Sequence, residues 1–430
     1  MKRRPQLPHS RQSRISDFGR LLAIIAATSG VLGGAVSPVH ADDKKPNTII
    51  VQIDPSSGMS IDDINASYAT TTVQVVTGIP STFIVQPVNS KQDAHSTADH
   101  IRHDRHVLFA DEEFLTGSID GNPSRMGAWG EPTPSEYIHQ NSAGLLNIQQ
   151  AQTISRGAGV TVAVLDTGVE VNHHELDGRL VPGYDFVDND PNPDDKPGGV
   201  ESGHGTHVAG IIHLVAPDAK IMPIRVLDSA GQGSLIPLVE GIYFAIHHGA
   251  NIINISLGTA NDSAFLESLL TEARHSGIVV VSSAGNEGRE VHQYPAAATC
   301  VVSVTSLDAA DGHSSFSNYG DWISFAAPGE SIYSTFDGNG FAYWSGTSMA
   351  APFVSGQIAL IRSVAPQYSF QDLLKVMQDT SVLINKLPSN HGLDNKLGYG
   401  QIDIGASVRA AATGYTSKEK PKHIKDECFR

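Results

Sequence analysis

The chain carries the stretch Ser345-Gly346-Thr347-Ser348-Met349-Ala350-Ala351-Pro352, which places one serine between small residues at the start of a predicted helix. A serine hydroxyl is a weak nucleophile unless a base takes its proton and a third group holds that base. Two earlier stretches supply these groups. The acid is Asp166, which ends the apolar run at 162–166, and the base is His204 in Gly203-His204-Gly205-Thr206-His207. We therefore predict a catalytic triad of Asp166, His204 and Ser348.

A fourth segment, Val280-Val281-Ser282-Ser283-Ala284-Gly285-Asn286-Glu287-Gly288, puts an amide after an apolar strand, where a developing oxyanion needs a donor. The order Asp, His, Ser with this donor between His and Ser resembles the subtilisin-like (subtilase) serine proteases. The chain is similar to the thermitase-like secreted enzymes of that family, from about residue 143 to 413. The predicted oxyanion donors are the Asn286 amide and the backbone N–H of Ser348. His207 is the rival base, and we interpret it as a structural histidine because the motif lacks the spacing of a zinc site.

Short apolar runs alternate with helical segments from Gly159 onward. This alternation is typical of a parallel sheet covered by helices on both faces. The predicted fold class is α/β, a three-layer subtilisin-like domain with a mainly parallel sheet between helices. Ligands of such sheets bind beyond the carboxyl ends of the strands, where Asp166 and Asn286 each follow a strand. The candidate residues therefore converge on one edge of the sheet.

The N-terminal half of the chain is predicted to contain processing segments. Residues 1–41 carry basic residues, then an apolar run from Leu21 to Val36, and they read as a signal peptide rather than a membrane anchor. Residues 42–110 follow the order β-α-β-β-α-β, a split-βαβ unit whose second helix is predicted at 91–104. By resemblance this unit is the inhibitory propeptide, with an accessory binding module as the alternative. Residues 111–142 read as a processing linker, 143–413 as the peptidase domain and 414–430 as a charged tail.

The substrate is predicted to lie extended and to add a strand to the enzyme. By resemblance, one wall of the cleft is Ser256-Leu257-Gly258 and the other contains Gly231 and Gly233. The primary specificity pocket would be lined by the first wall together with Ser283-Ala284-Gly285. Glycines allow close backbone approach, although Gly231 and Gly233 fit ordinary turn glycines equally well. The loop from Glu287 to Gln293 is shorter than in the family, so the resemblance does not identify the residues that form the floor of this pocket.

Hard oxygen ligands cluster between residues 185 and 195 in the run DFVDNDPNPDD. Ca²⁺ prefers such ligands, and the run resembles the calcium loop of the thermitase-like enzymes. The resemblance implies a structural calcium ion held by Asp185, Asp190, Asn192 and Asp194. An acidic surface turn is the alternative. Many subtilases have an extended calcium-binding loop after the helix that carries the catalytic histidine. This sequence lacks that loop.

The composition narrows the possible partners. The chain has 430 residues, with 29 basic and 45 acidic residues and a formal net charge of −16. Such a balance disfavours nucleic acid and anionic membrane surfaces, so we predict neither nucleic-acid binding nor a stable membrane anchor. Two cysteines cannot form a disulfide framework. Cys300 starts an apolar run and is predicted to be a buried thiol, and Cys428 a free thiol in the tail.

The leading functional hypothesis is a secreted serine endopeptidase made as a self-processing zymogen, which acts on polypeptide substrates and binds its own propeptide. An esterase of the α/β-hydrolase class is the second hypothesis, but it expects the sequence Gly-x-Ser-x-Gly and the order Ser, Asp, His. This chain has Ala350 and a different order. A non-catalytic binding protein on a protease scaffold is the third hypothesis. The complete triad and the oxyanion donor argue against it.

Overall fold

An antiparallel sheet with two helices forms the N-terminal unit. The computed structural model describes residues 47–118, 126–127 and 134–415. The elements of this unit are β1 (Ile49–Ile53), α1 (Ile61–Tyr68), β2 (Thr70–Val75), β3 (Thr82–Pro87), α2 (Ala94–Arg102) and β4 (Val107–Glu112). The strand order is β2-β3-β1-β4, so β3 separates β1 from β2 as in a split-βαβ unit. The predicted order of elements is confirmed.

Helix α2 is shorter than the predicted span of 91–104. The side chain of Asn89 accepts a hydrogen bond from the backbone N–H of Lys91, which makes a turn before the helix. Asp93 then caps the helix by accepting from the N–H of Ser96 at 3.0 Å. At the other end of the unit, strand β4 runs to Glu112, two residues beyond the predicted end of the unit at residue 110.

A seven-stranded parallel sheet forms the centre of the larger unit, in the order β14-β13-β12-β11-β7-β9-β8. Its strands are β7 (Thr161–Asp166), β8 (Tyr184–Asp185), β9 (Lys220–Arg225), β11 (Ile252–Ile255), β12 (Val279–Ser283), β13 (Val302–Leu307) and β14 (Phe325–Pro328). Register is continuous from Ile252 opposite Val162 to Ile255 opposite Leu165. The carboxyl ends of these strands therefore lie at one edge.

Helices cover both faces of this sheet. They are α3 (Pro134–Ile138), α4 (Asn141–Leu145), α5 (Ile148–Gln152), α6 (His204–Val215), α7 (Leu235–His247), α8 (Ala264–His275), α9 (Thr347–Val364), α10 (Phe370–Thr380) and α11 (Ile404–Ala412). Successive residues of β7 point to opposite faces. Val162 and Val164 belong to the apolar core that includes α6 and α9 residues, whereas Ala163 and Leu165 belong to the core with α7 and α8. These two cores confirm the predicted three-layer architecture.

Two smaller sheets lie beside the main one. Their strands are β5 (Leu115–Gly117), β6 (Met126–Gly127), β10 (Gln232–Ser234), β15 (Ile332–Phe336) and β16 (Gly340–Trp344). Strand β16 pairs with both β15 and β6, and β5 pairs with β10. The pairing of β5 with β10 joins the chain just after the N-terminal unit to the start of α7. Two 3₁₀ turns, His174–Leu176 and Pro388–Asn390, complete the regular structure of the described residues.

The prediction for Cys300 is wrong: this cysteine is disulfide-bonded and half-buried rather than a buried thiol. Its backbone is left-handed, with φ of 68°, so it does not start strand β13. Three predictions fall outside the described residues: the signal peptide at 1–41, most of the linker between 119 and 133, and the tail with Cys428. Among the helices that are described, none has the length and apolar character needed to cross a bilayer.

Candidate active site

Asp166 and His204 meet at the carboxyl edge of the sheet. Asp166 is the last residue of β7, and His204 is the first residue of α6. The Nδ1 atom of His204 lies 2.6 Å from Oδ1 of Asp166, and both side chains are fully buried. The same carboxylate oxygen accepts the N–H of Thr167 at 2.7 Å. A buried carboxylate on Nδ1 leaves Nε2 as the nitrogen that can take and return a proton.

Ser348 is the second residue of α9, and it is tied to the residue that follows β11. Its Oγ donates to the carbonyl of Ser256 at 3.1 Å, and the Ser256 hydroxyl donates to the carbonyl of Ser348 at 3.1 Å. That carbonyl has no i+4 partner because Pro352 lacks an N–H. The proline inside the helix therefore has a local role: it frees the acceptor through which Ser256 holds the turn with the nucleophile.

Two donors for an oxyanion lie at the same helix end. The backbone N–H of Ser348 is among the first four of α9, which have no acceptor within the helix. The side-chain oxygen of Asn286 accepts the N–H of Thr347 at 3.0 Å and the Thr347 hydroxyl at 2.9 Å. These two contacts fix the orientation of the Asn286 amide, so its Nδ2 atom lies on the side away from Thr347. The helix N-terminus adds a favourable dipole for negative charge.

His207 is held as a neutral structural group. Its Nε2 lies 3.1 Å from the carbonyl of Ile332 and 3.0 Å from that of Ala342, so it carries the proton and joins α6 to both strands of the β15–β16 hairpin. Burial lowers the pKa of His207 to about 3. Trp344 packs edge-on against the rings of both His207 and His204, with centroids 5.8 and 5.2 Å apart. The interpretation of His207 as structural fits this geometry.

Asp195 supports the first turn of α6. Its Oδ2 accepts the backbone N–H of Thr206 at 3.2 Å and the Thr206 hydroxyl at 2.9 Å. Burial, and then the charge of Asp337, raise the pKa of Asp195 to about 8. This carboxyl is therefore mostly protonated at neutral pH, and it holds the helix that carries His204 without placing a full charge beside it.

The family model described as the subtilase family matches residues 157–400. The chain belongs to the subtilase family. Thermitase from Thermoactinomyces vulgaris is 41% identical over 244 residues, which make up 54% of this chain and 86% of thermitase. The thermophilic serine proteinase of Bacillus sp. strain AK1 is 43% identical over 224 residues, and the match covers 50% of this chain and 55% of that protein. The chain thus spans about half of one relative and most of the other.

A solved structure gives the same result for the fold. Fervidolysin from Fervidobacterium pennivorans, described as a keratinolytic enzyme related to subtilisin, aligns with a TM-score of 0.67 and 25% identity. The alignment covers 86% of this chain and 62% of fervidolysin. The predicted family and fold class are confirmed, and this subtilase is a peptide-bond hydrolase. The esterase and the non-catalytic binding protein lose their support.

Both predicted walls of the cleft in this subtilase contact an extended segment. Gly233 lies opposite Thr116 in the β5–β10 pair, and the carbonyl of Gly231 accepts the N–H of Ser118 at 2.7 Å. A Cβ on Gly233 would lie 2.5 Å from the carbonyl oxygen of Val226 and 3.0 Å from the Thr116 hydroxyl. One on Gly231 would lie 3.0 Å from Cβ of Ser118. Close backbone approach explains Gly233, whereas Gly231 has a φ of 77°, so the turn itself favours glycine there.

The first wall presents its backbone to the cleft. Gly258 exchanges two hydrogen bonds with Gly117, at 3.0 and 3.2 Å. Ser256 is fully buried against Ser348, as described above. Leu257 is also fully buried, and its side chain belongs to the apolar core with α7 and α8. Leu257 can therefore line the cleft only through its main chain.

The predicted pocket residues 283–285 are fixed by partners from later in the chain. The N–H of Gly285 donates to the Thr347 hydroxyl at 3.2 Å, and the carbonyl of Ala284 accepts from the Asn318 amide at 3.2 Å. Ser283 is fully buried at the end of β12. The carboxylate of Glu287 accepts from the amides of Gln293 and Asn318. The sequence analysis missed Asn318, because no motif around it indicates that its side chain contacts residues 31–34 positions earlier in the chain.

Three of the four predicted calcium ligands, Asp185, Asp190 and Asp194, accept hydrogen bonds from other groups of the chain. Asp185 accepts the N–H groups of Val187 and Asp188 through one oxygen, and its other oxygen pairs with Arg225 at 2.8 Å. Asp190 accepts the N–H of Asn192, and Asp194 accepts that of Val171 at 3.0 Å. Among the described residues, no cluster of three or more acidic, histidine or cysteine side chains could hold a metal. The calcium ion and its four nominated ligands stay a prediction.

Two basic side chains of the chain pair with two carboxylates of this loop. The Arg225 guanidinium contacts both Asp185 and Asp188 at 2.8 Å, and Lys196 contacts the same two carboxylates. The hydrogen bond from Lys196, followed by that from Arg225, lowers the pKa of Asp188. Asp185 and Asp188 are thus paired with basic side chains, one of which comes from the neighbouring strand β9.

We expect Arg225→Met to destabilise the protein strongly. The side chains of Arg225 and Asp185 are only 4% and 0% exposed, so the variant leaves a buried carboxylate without its main partner. Breaking such a pair costs about 3–5 kcal/mol. The control is Lys196→Met, because Lys196 is 38% exposed and its pairs should contribute at most about 1 kcal/mol. Thermal unfolding of both variants checks this, and equal losses would contradict it.

Proposed function

We propose that this subtilase is a secreted serine endopeptidase, made as a self-inhibited precursor, with Asp166, His204 and Ser348 as its catalytic triad. The observation that carries the proposal is the buried contact of 2.6 Å between His204 Nδ1 and Asp166 Oδ1. It lies at the edge of the sheet where α9 presents Ser348 beside a cleft lined by main-chain hydrogen-bonding groups. Polypeptide substrates fit such a cleft because they can pair with it as strands.

The mechanism follows from the positions of these groups. Ser348 Oγ attacks the peptide carbonyl while His204 takes the hydroxyl proton. Asp166 holds the imidazole and stabilises the imidazolium. The Ser348 N–H and the Asn286 amide receive the oxyanion, and His204 then gives the proton to the departing amine. Water hydrolyses the resulting ester by the same steps in reverse order.

The assignment of the N-terminal unit as an inhibitory propeptide is supported by its contacts. The Asp111 carboxylate, 6% exposed, accepts the backbone N–H of Phe265 at 2.9 Å and the Ser263 hydroxyl at 2.8 Å, so it caps helix α8. Glu113 accepts the Ser234 hydroxyl at 2.8 Å. From there the chain enters the cleft as strand β5, where it occupies the place of a substrate strand.

Secretion is the remaining part of the proposal. It rests on the basic and then apolar composition of residues 1–41, which is typical of an export signal, and on the acidic net charge of −16, which keeps an exported enzyme soluble. The predicted calcium ion is not included in the proposal, because the residues nominated for it serve other donors in this structure.

The test is reaction of the purified enzyme with a fluorophosphonate, followed by mass-spectrometric mapping of the labelled residue. We expect a single labelled serine, Ser348. His204→Ala should react much more slowly, because the serine then lacks its base. Label on another serine, or no label on fully active enzyme, would overturn the assignment.

We expect the N-terminal unit to be held more weakly as pH rises through about 7. The Glu240 carboxyl lies under this unit, where burial raises its pKa to about 7 although the backbone N–H of Thr77 donates to it. A raised carboxyl pKa means that the protonated form favours the bound state. The stabilisation is complete below the ordinary pKa of about 4.3, and it is lost as Glu240 ionises in the complex.

The measurement is the rate at which activity appears in processed enzyme at pH 5 and at pH 8. Release should be faster at pH 8, and Glu240→Gln should reduce the difference between the two rates. Glu272→Gln is a suitable control because Glu272 is 44% exposed and lies on the neighbouring helix. An unchanged pH dependence in Glu240→Gln would contradict the role of this carboxyl.

A further inference from the structure

The helix that carries His204 begins without a side-chain cap of its own. Its N-cap residue is Gly203, whose φ of 85° lies in the left-handed region. A Cβ at this position would also lie 2.5 Å from the ring of Phe336, so both the backbone and the packing favour glycine here. The first N–H groups of α6 therefore depend on acceptors from other parts of the chain.

Two side chains from other segments take the place of that cap. The Thr167 hydroxyl accepts the N–H of Gly205 at 3.0 Å, and Oδ2 of Asp195 accepts the N–H of Thr206 at 3.2 Å. Thr167 follows Asp166 directly in the chain. The first turn of α6 is therefore attached both to the residue next to the acid and to Asp195.

The Thr206 hydroxyl joins three parts of the chain. It donates to Asp195 at 2.9 Å, and it accepts the N–H of Glu170, which lies in the loop after β7, at 2.9 Å. The segment that contains Asp195 is also attached to this loop directly, because the carbonyl of Pro193 accepts the N–H of Val169 at 3.0 Å. One short segment thus holds both the loop that follows the acid and the helix that begins with the base.

The first turn of α6 packs directly on the acid. A Cβ on Gly205 would lie 2.0 Å from the carbonyl oxygen of Gly168 and 3.2 Å from Oδ1 of Asp166, which is the oxygen that contacts His204. Contacts this close leave no space between the helix and the loop, so a change in how the turn is attached alters the distance from the acid to the base. Asp195 is only 5% exposed, so solvent water has little access to the place of its carboxyl group.

We propose that Asp195 is a positioning residue of the triad: through Thr206 it holds the first turn of α6, and with it the imidazole of His204, at contact distance from Asp166. The proposal rests on the proposed function, because it assigns Asp195 to the same reaction. Asp195 acts through Thr206 and not on the reacting atoms, so it affects the rate of proton transfer and leaves substrate binding unchanged. Misplacement of a catalytic group by about 1 Å can lower a rate about 10²-fold.

The test measures kcat and KM of the processed enzyme per active site, counted by fluorophosphonate labelling of Ser348. We expect Asp195→Ala to lower kcat about 10–100-fold with little change in KM. Asp195→Asn should keep most of kcat, because its amide oxygen can still accept from both the N–H and the hydroxyl of Thr206. An equal loss in the two variants would contradict positioning through these hydrogen bonds.

Ser369→Ala is the control for the loss of a helix cap elsewhere in the protein. Ser369 caps α10 by accepting the N–H of Asp372 at 3.1 Å. This variant should have a lower thermal midpoint and an unchanged kcat. A loss of kcat as large as that of Asp195→Ala would mean that any lost cap slows the enzyme, and it would overturn the specific role of Asp195.

A double-mutant cycle shows whether Asp195 acts through Thr206. Thr206→Val removes the hydroxyl and keeps the shape of the side chain, and the loss of kcat that it causes should be smaller in Asp195→Ala than in the wild type. If Asp195→Ala does not fold, Thr206→Val decides alone: it should lower kcat with KM unchanged, and Thr206→Ser should restore kcat.

Two sets of results separate this inference from the proposed function. Additive losses in the cycle, or a wild-type kcat in both Asp195→Ala and Thr206→Val, would overturn the inference. Enzyme that is still labelled at Ser348 would leave the proposed function intact in that case. Active enzyme that is labelled at another residue would overturn the proposed function, and this inference with it.

Discussion

Ser348→Ala should abolish both peptide hydrolysis and the self-processing of this subtilase. Ser348 is the residue whose hydroxyl lies at the start of α9, 3.1 Å from the carbonyl of Ser256, in the cleft that Asp166 and His204 border. Removal of the triad serine costs about 10⁶-fold in kcat in subtilisin, and we expect a loss of that order here. The remaining rate would come from the oxyanion donors and from binding.

The measurement is kcat on a peptide substrate with pure enzyme, together with the fraction of precursor cut after refolding. Ser345→Ala is a matched control, because Ser345 lies three residues earlier and its hydroxyl accepts the N–H of Ser331 at 2.9 Å instead of serving the site. Turnover of Ser348→Ala close to that of the wild type would show that another nucleophile does the chemistry. Equal losses in both variants would point to a structural effect.

The triad could be predicted from the sequence because each of its members lies where one element meets a loop. Asp166 ends a strand, and His204 and Ser348 begin helices. Parallel strands bring such positions to a single edge of the sheet, so local motifs in the right order are enough to assemble them. The same reasoning predicted the two layers of helices, since the alternation of elements leaves few other ways to cover the sheet.

Contacts between residues that lie far apart in the sequence could not be predicted in this way. The reciprocal hydrogen bonds of Ser256 and Ser348 join residues 92 positions apart, and the amide of Asn318 acts on a loop more than 30 positions earlier. The role of Pro352 depends on the first of these contacts. A sequence shows that a proline removes one hydrogen bond, but not which side chain takes up the freed carbonyl.

The acidic loop shows what composition alone leaves open. Its oxygens match the preference of calcium, yet calcium ligands must also converge on a common point, which composition does not specify. Arg225 on β9 contacts one of the three nominated carboxylates, Asp185, and the backbone N–H of Val171 donates to another, Asp194. Their presence at this loop follows from the tertiary fold. The strand at 115–117 was missed for the same reason, since its partners lie more than 100 residues later.

Asn286→Leu should lower kcat by about 10²–10³-fold with little change in KM, which is the range known for loss of one oxyanion-hole donor. The Asn286 carbonyl oxygen is held by both the N–H and the hydroxyl of Thr347, at 3.0 and 2.9 Å, so its Nδ2 is already oriented before substrate arrives. A donor of this kind interacts mainly with the charge that develops in the transition state. Its loss therefore acts on the rate of the chemical step and spares ground-state binding.

Thr347→Val provides the matched control, because it removes the hydroxyl that orients the amide and keeps the amide itself. We expect a smaller loss of kcat in that variant, since the N–H of Thr347 still holds the Asn286 oxygen at 3.0 Å. Steady-state kinetics on one peptide substrate gives kcat and KM for all three proteins. If Asn286→Leu raises KM and leaves kcat unchanged, the amide binds the ground state. The Ser348 N–H would then be the main donor to the oxyanion, and the helix N-terminus would supply most of the stabilisation.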